Sequence, residues 1–139
     1  MIFVDTNYFL RFLLKDIDKQ HQEAKELFKD AALGEVKLFT SIIVFFEIYW
    51  VFSSFYKRNK TELTEILKNV LKMDFIKIKE RKLLQKAVEI FEESTSDLED
   101  SFNLAYARKK EALEFKTFDK KLVRKFRSHF SIATLLSPP

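Results

Sequence analysis

The sequence predicts an α/β fold with a mainly parallel sheet of four to five strands. Short apolar runs alternate with longer stretches whose apolar residues recur at helical spacing, the pattern of strand–helix–strand units. The first run, Ile2-Phe3-Val4, is continuous rather than alternating, as expected of a strand covered on both faces. A chain of 139 residues that is 47% hydrophobic and holds 16 Phe is long and apolar enough for one core, so residues 1–139 read as a single domain.

In order, Ile2 to Val4 reads as a strand ended by Asp5-Thr6-Asn7, with Asn7 or Thr6 capping a helix from Tyr8 to Leu14. A second helix spans about Lys19 to Leu33, with Ala24, Leu27, Phe28, Ala31 and Ala32 on one face and Gly34 as its stop. Val36 to Phe39 is the second strand, and Ser41 caps a long helix to about Tyr56. Lys60 to Met73 is amphipathic through Leu63, Ile66, Leu67, Val70 and Leu71. Phe75 to Ile78 is a strand and Arg81 to Glu93 a helix. Ser96 and Glu99 form a capping-box pattern that starts a helix from Asp97 to about Lys109. Leu113 to Thr117 reads as a strand, Lys120 to Phe126 as a helix and Phe130 to Ala133 as a last short strand.

Composition excludes several chemistries. Cysteine is absent, which removes disulfides, thiolate metal sites and cysteine nucleophiles. With Gly34 the only glycine, there is no phosphate-cradling glycine loop, so phosphate chemistry has to use metals or side chains. The two histidines, His21 and His129, adjoin no acidic motif. The most apolar stretch, Ile42 to Phe52, is shorter than the ~20 residues a bilayer needs and contains Glu47. No secretory signal is visible, and a soluble, cytoplasmic protein is expected.

What remains is a set of acids. Ligands of open parallel sheets bind beyond the carboxyl ends of the strands. Asp5 follows the first strand and Asp119 closes Thr117-Phe118-Asp119 after the fourth, although either alone is equally a helix cap. Glu47 has Ile43, Val44, Trp50 and Val51 three and four positions away. A carboxylate buried there has to be paired, protonated or metal-bound, unless it lies on an unusually apolar surface. Asp97 and Asp100 sit three apart in a first helical turn, where acids are ordinary.

Taken in order, Asp5-Thr6-Asn7, Glu47 in its apolar helix, the run Asp97 to Ala107 and Thr117-Phe118-Asp119 resemble the PIN-domain nucleases, in particular the VapC-type toxins of toxin–antitoxin pairs. The resemblance implies a three-layer α/β/α domain and a metal-dependent endoribonuclease. It makes Asp5, Glu47 and Asp100 the core acids and metal ligands, and Asp119 the fourth. Asp97 is then an accessory acid, and Thr6, Asn7 and Thr117 orient the acids or the attacking water. An RNA substrate, an antitoxin partner and a homodimer are implied as well. One departure lies after the Asp100 helix, where many relatives have glycine and this chain runs Arg108-Lys109-Lys110-Glu111-Ala112.

Four converging carboxylates suit Mg²⁺ or Mn²⁺, which prefer oxygen ligands, lower the pKa of bound water and neutralise charge on a phosphodiester. Without metal such acids repel one another, and at least one is expected to hold its proton to higher pH. The net charge of +4 permits nucleic-acid binding, and basic residues concentrate beside Asp119 as Lys116, Lys120, Lys121 and Arg124. Two other readings stay open: a non-catalytic binding or assembly module of the same fold, and a DNA-directed nuclease. The aromatic residues around the Glu47 helix exceed what one face can bury, which points to an oligomer or partner surface.

Overall fold

The computed structural model describes the backbone of residues 1–136 and the side chains of residues 1–128. Among these residues the elements run β1 (Ile2–Phe3), α1 (Thr6–Leu14), α2 (Asp18–Ala32), β2 (Leu38–Thr40), α3 (Ile42–Trp50), α4 (Lys60–Leu71), β3 (Ile76–Ile78), α5 (Arg81–Glu93), α6 (Leu98–Lys109) and α7 (Lys120–Leu136). A π-helical segment, Val51–Phe55, continues α3. The chain divides into two compact units, Met1–Lys82 and Leu83–Pro139.

The first unit is the α/β part. Its sheet has the order β1-β2-β3 with both pairings parallel, as expected. Ile2 lies opposite Leu38, and Leu38 opposite Ile76, so β2 is the middle strand. Helices α1 and α2 connect β1 to β2, and α3 and α4 connect β2 to β3, the crossover that parallel neighbours require. Thr40 ties the sheet's end together, its hydroxyl donating to the Val4 carbonyl at 2.7 Å.

Packing follows the helical periodicities. Helix α1 rests on α2 and α3, with Phe9 fully buried and its ring 5.6 Å from that of Phe28. Helix α2 ends at Gly34, whose φ of 82° is one a side chain would resist. Asn59 opens α4 with a capping box, accepting from the Glu62 N–H. The turn from α4 to β3 is held by Arg81, whose guanidinium donates to the carbonyls of Leu71, Met73 and Ile76.

The second unit is helical. Its core joins Leu83, Ala87 and Ile90 of α5 to Leu104 and Ala105 of α6 and Leu122 and Phe126 of α7. Among the described residues no helix is long and apolar enough to cross a membrane.

Three expectations are corrected. The first strand is not covered on both faces: Ile2 and Phe3, which point to opposite faces, are 44% and 47% exposed, and only Val4 after them is buried. Leu113–Thr117 is not a strand, so the sheet has three strands rather than four or five among the described residues. Only Phe115 of that segment finds a core, its ring 5.5 Å from Phe126, while Leu113 is 91% exposed. The stretch Phe130 to Ala133 continues α7, whose helical periodicity outlasts the expected end at Phe126.

Candidate active site

Each acid is positioned by the start or the middle of a helix. In the first unit Asp5, not Asn7 or Thr6, is the N-cap of α1, and its carboxylate accepts the Thr6 N–H at 2.8 Å. Thr6 is thereby the first helical residue and turns its side chain inward. The buried hydroxyl donates to Glu47 Oε2 at 2.5 Å, joining the end of β1 to the middle of α3. Asp5 and Glu47 are therefore linked through one threonine. Asn7 is exposed beside them.

The expectation that Glu47 is a buried carboxylate is corrected. It is exposed, and so are Ile43 and Trp50 on the same face of α3, at 69% and 63%. The helix buries Val44, Phe45, Ile48 and Tyr49 on its other side. An apolar neighbourhood in sequence is here an apolar surface with a carboxylate in its middle. The π-helical turn that follows exposes Phe55 at 76%.

In the second unit Asp97, not Ser96, caps α6, accepting the Asp100 N–H at 2.8 Å. Ser96 instead hydrogen-bonds Ser94 at 2.7 Å and Ser101 at 3.3 Å. The carboxyl of Asp100 is half-buried and holds its proton to higher pH than an ordinary aspartate. Burial is the main cause, and the like charges of Asp97 and Asp119 add to it. Glu99 is shifted the same way, again by burial first and then by Asp97 and Asp100. Sequence reasoning took Glu99 only as a capping residue. Its place between two other acids was the available signal.

Asp119 opens α7. Its carboxylate accepts from the N–H groups of Lys121 at 3.0 Å and Leu122 at 3.3 Å, and its own N–H donates to Thr117 Oγ1 at 3.1 Å. The Thr117 hydroxyl thus holds the backbone at Asp119. Lys120, Lys121 and Arg124 are exposed on this helix, and Lys116 is exposed in an ion pair with Glu114 at 3.0 Å. Between Thr117 and Asp119, Phe118 is fully exposed. His21 has a structural role, with Nδ1 3.2 Å from the Arg11 carbonyl and its ring stacked on Phe12. The side chain of His129 lies outside the described residues.

The structure thus links Asp5 with Glu47 in one unit and couples Asp97, Asp100 and Asp119 in the other. Among the described residues no three Asp, Glu or His side chains stand close enough together to hold a metal ion. The donors fit a hard divalent cation chemically: all are carboxylates, and Mg²⁺ binds one or two directly while keeping waters. A cation beside Asp100 would offset the like charges of Asp97 and Asp119, the lesser part of its shift after burial.

Residues 2–126 match the model of the PIN domain family. No curated protein and no solved structure matches the chain.

Proposed function

The chain belongs to the PIN domain family, whose members are generally nucleases, and on that premise we propose that it is a metal-dependent endoribonuclease acting in the cytoplasm. Its acids are Asp5, Glu47, Asp100 and Asp119, and it is the toxin of a toxin–antitoxin pair. The observation that supports this reading is the Asp100 carboxyl, half-buried and holding its proton to higher pH through burial first and then through the like charges of Asp97 and Asp119.

PIN nucleases usually use divalent metal ions, and Mg²⁺ or Mn²⁺ is the ion in this reading. When bound, such an ion supplies a water of lowered pKa and neutralises charge on the phosphate. The chain's own residues do the positioning. Thr6 holds one carboxylate oxygen of Glu47, Oε2. Thr117 fixes the backbone of Asp119, and Asp97 sets the first turn that presents Asp100. Lys116, Lys120, Lys121 and Arg124 hold the phosphate backbone, and Asn7 supplies a polar group beside Asp5. The choice of RNA rests on the family resemblance. Exposed Ile43, Trp50 and Phe55 support a surface for a second copy or an antitoxin.

The test is direct. Short RNA and DNA oligonucleotides are incubated with the protein in Mn²⁺ or EDTA, beside an Asp100→Asn control. Metal-dependent RNA cleavage lost in the variant is expected. Cleavage that survives EDTA or the substitution overturns the mechanism, DNA-only cleavage overturns the substrate, and no cleavage of either polymer favours a binding module.

A further inference from the structure

We infer that Phe118 is a stacking platform for an unpaired base of the substrate; this rests on the nuclease reading above. Phe118 is 105% exposed, while its chain neighbour Phe115 packs into the core of the second unit. A large aromatic side chain is left wholly in water, and nothing in its own unit takes it in.

The backbone on either side of the ring is tied down by hydrogen bonds. The Thr117 hydroxyl accepts the Asp119 N–H at 3.1 Å, bridging directly over Phe118, and the Asp119 carboxylate caps α7 at 3.0 Å from Lys121 N. The backbone that carries the ring therefore has less ordering left to undergo when a flat partner arrives.

The occupant follows from charge. Phe118 has Lys116 two positions before it, Lys120 and Lys121 two and three after it, all exposed, with Arg124 one turn further along the same helix. An apolar protein partner matches the ring but not this surround. A single-stranded nucleic acid matches both, because its bases stack on aromatic faces while its phosphates meet the cations. In a duplex the bases already stack on one another and offer no free face. In the same segment a hollow of about 210 Å³ is lined by Lys116 and Arg127 together with Glu114, the ion-pair partner of Lys116. Asp119 is the next residue, so a base on Phe118 sets its phosphate beside an acid of the proposed machinery.

The experiment measures binding by fluorescence anisotropy, in EDTA, of a labelled single-stranded RNA and of its duplex. The full chain is compared with Phe118→Ala, Phe118→Leu and Phe118→Trp. Loss of about tenfold in single-strand affinity is expected for Phe118→Ala, with duplex binding unchanged. Phe118→Leu should lose nearly as much, having no π-face, and Phe118→Trp should retain binding. Full binding by Phe118→Leu, or equal losses on single strand and duplex, overturns the proposal. So does a change of oligomeric state in Phe118→Ala by sedimentation, which would make the ring a protein contact. Wild-type cleavage in Mn²⁺ decides the nuclease reading separately.

Discussion

The Thr6 hydroxyl donates to the Glu47 carboxylate at 2.5 Å, across 41 positions of sequence. A charged acceptor makes this hydrogen bond worth ~1.5–3 kcal/mol. Thr6→Val keeps the shape and removes the donor, so urea unfolding should show a loss of that order. Thr6→Ser should recover most of it. Equal stabilities for Val and Ser would mean the hydroxyl contributes nothing.

Asp100 and Glu99 both bind their protons more tightly in the folded chain than ordinary carboxyls do. Folding is therefore favoured when they are protonated, and that contribution fades as pH rises through their raised folded values. Asp100→Asn should melt higher than wild type at pH 7. The gap should close as pH falls below the ordinary aspartate range, about 4. Thermal melts of both proteins across pH check this, and a gap independent of pH would exclude the titration as its cause.

Millimolar Mn²⁺ or Mg²⁺ should raise the melting temperature of wild type, since a ligand of the folded state stabilises it by mass action. Asp5→Asn should remove most of the rise. Unchanged melting curves with either ion would count directly against a metal site.

Asp97 and Asp119 are both helix caps, and asparagine caps about as well as aspartate. Asp97→Asn and Asp119→Asn should both melt near wild type. If Asp119 is one of the acids and Asp97 only accessory, cleavage collapses in Asp119→Asn and falls modestly in Asp97→Asn. Replacement by Ala should add ~0.5–2 kcal/mol of destabilisation in either case.

Glu111 closes α6 at a φ of 55°, with its N–H on the Arg108 carbonyl at 2.9 Å. This is the turn after the Asp100 helix, where the chain runs Arg108-Lys109-Lys110-Glu111-Ala112. The structure makes a left-handed turn with a side chain on it, which is strained. Glu111→Gly should raise stability by about 0.5–1 kcal/mol in chemical denaturation. No gain would mean the turn relaxes in solution.

The sequence by itself determined the parts that depend on local spacing. Apolar periodicity located the helices, Ser41 its cap and Gly34 its stop, and the first three strands fell close to where they lie. The ordered acidic motifs were enough to point to the PIN family before any geometry was known. Tertiary structure decided what depends on partners. Leu113–Thr117 has strand composition but, among the described residues, pairs with no strand, and without a ladder it is not one. Around Glu47 the sequence showed apolar residues but not which side of α3 the core would claim. It claimed Val44, Phe45 and Ile48, and left Glu47 at the surface between Ile43 and Trp50. The threonine that holds Glu47 lies in a segment 41 positions away, beyond the reach of any local pattern.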